Sequence, residues 1–559
     1  MKKTIFLTSA LLCMCLTACS EKNVSNDTNT SFDNSTIKTI ETGKIRGHKD
    51  KENKVLEWLG VPYAKSPEGK LRWKSPVKPD KWNETLDVSE YGNKAIQLSN
   101  GKVEGSEDAL NLDVVRPDSK ESNLPIMVYI HGGNNQSGTS QEIKGNTFVN
   151  DLDAVYVSVN YRLGALGYNP LQAFKHGSEE ENSGNFGLLD IAFALDWVKE
   201  NAEVFGGDAK NITLTGFSAG GRDVMASLIS PQFKGKYHKA ISFSGGMTLA
   251  ETKNSQEIFA KAIAPLVVED KVKPSVDVAE KWLLEDSNDV RDYLYNLKAE
   301  RLAPLMGNAG IRMSVFPHLY KDGNVIPVDG FKGAVYNDVP LMLITGTNEF
   351  SLFSAFDKRF MSDFTSGELF KNTDKMKEFD YARKYGGQLY RLSNGVDSAK
   401  VMEKSYQSKI YIGEIGYGDS DQVTPELAKT LGAFHGIFEP MLQYPSNYKD
   451  FIGNSFETDG AKEMSSIFKA YLKNYLHSGN PNNDKLPEWQ NWSENNTVLS
   501  IDADKNKAKF EIKEDSDTAQ DIIKKMKEDK SLSEEKKLEI NKTVLNGRWF
   551  SPPLTQSKK

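Results

Sequence analysis

Gly216-Phe217-Ser218-Ala219-Gly220 is preceded by the strand-like run Ile212-Thr213-Leu214-Thr215 and followed by a helical stretch from Gly221 to Ser230. A serine framed by glycines between a strand and a helix is the G-x-S-x-G pattern in the setting its chemistry requires. Larger neighbours would collide in so tight a turn, which projects the serine hydroxyl outward. The turn also aims the N–H of Ala219, at the helix start, at a reacting oxygen. In a chain with 43 glycines the five residues alone carry little weight; the strand before them and the helix after them make the pattern specific.

Short apolar runs recur on both sides of this turn. Ile126-Met127-Val128-Tyr129-Ile130 ends in His131-Gly132-Gly133, and Val155-Tyr156-Val157-Ser158-Val159 follows. Ala240-Ile241-Ser242-Phe243 and Leu341-Met342-Leu343-Ile344 are runs of the same kind. Between them lie helical patterns. Leu188, Ile191, Leu195 and Val198 share one face of a helix that stops near Gly206-Gly207, and Met464 to Leu476 form an apolar stripe stopped by Gly479-Asn480-Pro481. Continuous apolar strands alternating with helices predict an α/β fold, a central and mostly parallel sheet flanked by helices, with large insertions. With G-x-S-x-G between strand and helix, this is the α/β-hydrolase arrangement.

A serine hydroxyl is a poor nucleophile at neutral pH and needs a base, which in turn needs an orienting acid. The expected chain order is nucleophile, acid, histidine. Of the seven histidines, His318, His435 and His477 follow Ser218 at a distance; His238 lies too close behind the nucleophile helix. His477 ends an amphipathic helix and His318 sits in Pro317-His318-Leu319, where packing or surface roles are expected. His435 lies in Leu431-Gly432-Ala433-Phe434-His435-Gly436, and its flanking glycines suit a loop histidine near a site.

Several ordered motifs resemble those of the type-B carboxylesterase/cholinesterase family, from about Trp58 to Trp492. They are Leu59-Gly60-Val61-Pro62-Tyr63-Ala64, Ser106-Glu107-Asp108-Ala109-Leu110-Asn111-Leu112, Asn160-Tyr161-Arg162-Leu163-Gly164, Gly184-Asn185-Phe186-Gly187-Leu188-Leu189-Asp190 and Phe205-Gly206-Gly207-Asp208. The resemblance implies Ser218 as nucleophile and His435 as general base and acid. It implies Glu349, with Phe353 four residues later, as the orienting acid, although the stretch from Gly346 is two residues shorter than in most members. Asp322 is the alternative acid. The oxyanion hole is implied at Gly133, Asn134 and Ala219, with His131-Gly132-Gly133-Asn134 where the family usually has H-G-G-G; His131 is expected to pack a strand end. Asn134 lacks glycine's freedom and brings an amide towards the acyl pocket. Phe217 replaces a frequent glutamate and argues against a choline ester. Ala109 stands where a bridged cysteine is common, and Glu439 falls one residue later than the usual glutamate.

The implied activity is hydrolysis of a small-molecule carboxylic ester through an acyl-enzyme, with a lipase-like acyl hydrolase or a non-catalytic binding protein as alternatives. No metal or cofactor is called for: the sequence has neither a clustered His/Cys ligand pattern nor a G-x-x-x-x-G-K-[ST] loop. With 77 acidic and 70 basic residues, a net charge of −7 gives no electrostatic footprint for nucleic acid. Lys2 and Lys3, the apolar run Ile5 to Leu12 and the ending Leu16-Thr17-Ala18-Cys19 read as an export signal resembling a bacterial lipobox, with Cys19 lipidated. The expected plan is a lipoprotein signal peptide over residues 1–19, a polar tether over 20–38 and one hydrolase domain over 39–559. That plan places the enzyme in the cell envelope, anchored to a membrane. The Lys/Glu-dense segment Lys505 to Lys542 is expected to form one or two solvated helices.

Overall fold

The computed structural model describes residues 31–514 and 516–556. Eleven strands build the central sheet: β1 (His48–Asp50), β2 (Val55–Pro62), β3 (Asn111–Pro117), β4 (Leu124–Ile130), β5 (Val155–Val159), β6 (Gly207–Phe217), β7 (Lys239–Phe243), β8 (Leu341–Gly346), β9 (Ile410–Ile415), β10 (Thr497–Ala503) and β11 (Ala508–Glu514). Their order is β11-β10-β9-β8-β7-β6-β4-β5-β3-β2-β1. From β10 across to β5 every pairing is parallel; the two ends of the sheet are antiparallel. Every residue of β4, β5, β7 and β8 is buried. A strand covered on both faces has no use for alternation, which is why these segments read as unbroken apolar runs.

Four helices matter for the site: α1 (Phe186–Asn201), α2 (Ala219–Ser227), α3 (Thr373–Asn394) and α4 (Asp459–Ser478). The α4 stripe buries Met464, Phe468, Tyr471, Leu472, Tyr475 and Leu476, and Gly479 closes the helix at φ 76°. Tyr475 donates its hydroxyl to the Ala240 carbonyl at 3.0 Å, fixing α4 beneath β7. Two of the quoted motifs meet in the core. Arg162 forks onto Asp190 of α1, with Nη2–Oδ1 at 2.6 Å and Nε–Oδ2 at 2.8 Å, both side chains buried. Likewise Arg72 pairs with Glu107 at 2.5 Å.

Two boundaries differ from the sequence reading. The tether was expected to reach residue 38, yet Ile37–Ile40 is already a strand paired with Gly43–Arg46. Phe32 is buried beneath the Arg116 guanidinium, 3.7 Å from the ring centroid. Buried Phe32 and Ile40 anchor a segment whose average composition is polar. Residues 20–30 of the tether, the signal peptide and Cys19 lie outside the described residues. In the C-terminal segment, β11 precedes the expected helices (Ala519–Glu528 and Glu534–Ile540). Lys509 to Lys513 alternate charge with Phe510 and Ile512 at the period of a strand, and the charged side chains suit an edge. The helices are not fully solvated either: Ile522, Ile523, Met526 and Ile540 are buried.

Candidate active site

Ser218 ends β6 and opens α2 at φ 57° and ψ −115°, a conformation that non-glycine residues adopt only under constraint. The constraint comes from its glycines. A Cβ on Gly216 would stand 2.3 Å from the Gly220 carbonyl oxygen, and one on Gly220 would stand 2.1 Å from that of Ile130. The Ser218 N–H donates to the Phe243 carbonyl at 2.9 Å, tying the turn to β7.

Glu349 lies in the turn after β8 and is fully buried rather than solvated. One carboxylate oxygen faces His435 Nδ1 at 2.5 Å. The other accepts from the Ser244 hydroxyl (2.5 Å), the Thr345 hydroxyl (2.9 Å) and the Gly346 N–H (2.6 Å). The short stretch from Gly346 thus does not displace the carboxylate; it supplies one of its donors. The His435 loop is held by Gly432 (φ 61°) and Gly436 (φ 104°). Its imidazole packs on Phe217 (4.7 Å between centroids), Phe353 (5.0 Å) and Tyr390 (5.6 Å). With Nδ1 committed to Glu349, Nε2 is buried and has no hydrogen-bond partner among the described residues. Ser218 adjoins it through Phe217, but no Ser218–His435 hydrogen bond is formed.

The other candidates fall elsewhere. Asp322 organises a turn, accepting from the N–H groups of Asn324, Val325 and Ile326 and from the Asn185 amide. His318 is buried against Phe316, and His477 Nε2 lies 3.0 Å from the Asp153 carbonyl. His131 stacks on Tyr161 at 4.5 Å, and burial pushes its pKa down to about 4, which suits the packing role expected of it.

The loop after β4 lies beside the serine: a Cβ on Gly132 would be 3.1 Å from that of Ser218. Gly133 has φ 92°, Asn134 60° and Asn135 54°. Asparagine is one of the few residues that take the left-handed region at low cost, so Asn134 keeps the backbone path glycine would follow. The N–H groups of Gln136 and Ser137 fold back onto the Gly133 carbonyl, whereas those of Gly133 and Asn134 have no partner among the described residues. The Asn134 amide donates to Gln136 Oε1 at 2.7 Å, and Gln136 donates to the Met306 carbonyl. Ala219 N–H is first in its helix and has no intrahelical acceptor.

Sequence reasoning missed the supports. Ser244 and Tyr390 are distant in sequence from what they hold, and Thr345, four residues before Glu349, belongs to no quoted motif. Glu142 accepts from the Gly132 N–H (3.0 Å) and the Tyr129 hydroxyl (2.8 Å), bracing the loop. Burial, and then the charge of Glu439, push its carboxyl up to about 7. Glu439 itself holds the 443–447 turn and does not touch His435. Only Phe353, four residues after Glu349, was signalled by a motif.

A nucleophile turn at the carboxyl end of a parallel strand, with a buried Glu–His pair packed on the Phe217 ring beside the serine, places the chain in the α/β-hydrolase class. A model of the carboxylesterase family matches residues 34–410, and the chain belongs to that family. It is 28% identical over 475 residues to the para-nitrobenzyl esterase of Bacillus subtilis, covering 82% of this chain and 92% of that one. It is 27% identical over 522 residues to a medium-chain fatty acyl-CoA hydrolase precursor of Anas platyrhynchos, covering 84% and 88%. A solved structure of a PNB esterase superposes with TM-score 0.68 at 27% identity, covering 87% of this chain and 99% of that one. A Geobacillus stearothermophilus carboxylesterase shares the fold at TM-score 0.63 and 23% identity, covering 86% and 98%. The chain is a carboxylic ester hydrolase.

Proposed function

We propose that Ser218, His435 and Glu349 hydrolyse small-molecule carboxylic esters through an acyl-enzyme. The Ser218 hydroxyl attacks the ester carbonyl carbon while His435 Nε2 takes its proton. The resulting oxyanion is held by the N–H groups of Gly133, Asn134 and Ala219. Collapse breaks the bond to the alcohol oxygen, which His435 protonates. Water, deprotonated by the same Nε2, then attacks the acyl carbon and releases the acid. The observation that carries this reading is the buried 2.5 Å contact between Glu349 and His435 Nδ1, which leaves Nε2 as the proton acceptor. Hydrolysis of short- and medium-chain p-nitrophenyl esters tests it: turnover should fall by several orders of magnitude in Ser218→Ala. Equal turnover in the variant would overturn it.

The reading extends to an exported, membrane-anchored lipoprotein of the bacterial cell envelope. Residues 1–19 act as the leader and Cys19 carries the lipid, supported by the Leu16-Thr17-Ala18-Cys19 ending. Expressed in a bacterium, the chain should fractionate with membranes and take up labelled fatty acid, and Cys19→Ala should lose both. Label retained in Cys19→Ala would contradict the anchor.

A further inference from the structure

Arg222 lies in the first turn of α2, and its N–H donates to the Ser218 carbonyl at 3.0 Å, which ties it directly to the nucleophile turn. Its side chain is almost wholly buried. The guanidinium lies over the Trp549 ring, 3.8 Å from the centroid, and Nη2 donates to the Thr248 carbonyl at 2.6 Å. Nε and Nη1 are buried with no hydrogen-bond partner among the described residues, and no carboxylate pairs with the group there. A buried cation without a counter-ion is strongly unfavourable, and one ring face offsets only part of that.

The surroundings are also rich in donors. Trp549 Nε1 and the Tyr390 hydroxyl are buried and unpartnered as well. The Tyr390 ring stacks on the His435 imidazole at 5.6 Å and meets Trp549 at 6.5 Å, so the donors run from the catalytic base to the guanidinium. His318, which meets Trp549 at 6.2 Å, is held neutral by burial and by the charge of Arg222, its Nδ1 lying against the Phe316 carbonyl. The adjacent carboxyl, Asp223, accepts instead from Asn135, and burial pushes it up to about 7, so its counter-charge is partial at neutral pH. Arg222 itself is lowered by burial to about 10 and stays charged.

We propose that Arg222, with Trp549 and Tyr390, recognises a carboxylate on the substrate, so that the preferred substrates are esters bearing a second, ionised carboxyl group. This rests on the Ser218 esterase reading. A guanidinium matches a carboxylate in charge and geometry, and in so buried a place the match is not diluted by water.

The test pairs anionic and neutral esters. Mono-4-nitrophenyl glutarate against its methyl ester places the charge on the acyl side; 4-acetoxybenzoate against phenyl acetate places it on the alcohol side. The protein should favour the anionic member of at least one pair, and the responding pair tells which side faces Arg222. Arg222→Met should lower kcat/KM for the favoured anion about 10- to 100-fold more than for its neutral partner, the range for loss of a charge-assisted hydrogen bond, and Arg222→Lys should restore part of it. Glutarate should inhibit competitively, less so in Arg222→Met. Neutral preference in both pairs overturns the proposal, as does an equal loss on both members in Arg222→Met. If Arg222→Met does not fold, the two pairs decide with the parent protein alone. If no ester is turned over and a fluorophosphonate labels nothing, the esterase reading has failed; calorimetric binding of glutarate then still decides for or against the anion site.

Discussion

Asn134 stands where the motif resemblance leads one to expect glycine, and its φ of 60° shows how an asparagine serves there. What the backbone demands there is the left-handed region, and asparagine reaches it. Asn134→Gly should therefore change kcat by no more than several-fold and stability by less than ~1 kcal/mol. Asn134→Val, whose branched Cβ opposes that region, should cost far more activity. The kcat of the two variants on one p-nitrophenyl ester checks this; equal losses would mean that the amide, not the backbone path, matters. Glu349 invites the sharper test. Its carboxylate collects three donors besides the imidazole, so Glu349→Gln should fold and yet lose about 10⁴ in kcat, the size seen when a triad acid becomes an amide. A loss under tenfold would remove Glu349 from the proposed mechanism.

At the scale of elements, the turn between β6 and α2 is built on backbone proximity that admits no side chain. Gly220→Ala places a Cβ 2.1 Å from the Ile130 carbonyl oxygen and should give insoluble or inactive protein, read by thermal unfolding and turnover. A soluble, active variant would contradict the packing of α2 against β4. The Arg162–Asp190 pair ties the β5 end to α1, and Arg162→Met leaves a buried carboxylate alone, which should cost about 3–5 kcal/mol in urea unfolding. A change below ~1 kcal/mol would make the pair dispensable. The parallel strands and α4 were legible because burial on both faces, or on one helical stripe, writes itself into local periodicity. β11 does not show in the composition because Lys and Glu dominate a strand whose only large apolar residues are Phe510 and Ile512. The start of the domain was misread because one buried aromatic, Phe32, does not shift the average of a polar segment.

Across the whole molecule, what the sequence did not show is what the fold brings together from afar. Ser218, Glu349 and His435 could be named from motif and chain order, whereas Ser244 on Glu349, Tyr390 on His435 and Trp549 under Arg222 depend on strand order and on insertions that no local pattern encodes. Buried charge has a global consequence too. Glu142 has its pKa raised from 4.5 to about 7, so between those values the folded chain binds more protons at this site than the unfolded chain does. Stability must then fall as pH rises through that window, by on the order of 1–3 kcal/mol for this group. Urea unfolding at pH 5 and pH 8 should show the parent losing stability relative to Glu142→Gln, and parallel profiles would contradict the shift. Ester hydrolysis by this chain turns on Ser218 as the nucleophile, and the most direct test is to treat the folded protein with a fluorophosphonate and map the adduct by peptide mass. The prediction is one phosphonyl group on the peptide holding Ser218, with labelling strongly slowed in His435→Ala. An adduct elsewhere, or none on a protein that still hydrolyses esters, would contradict it.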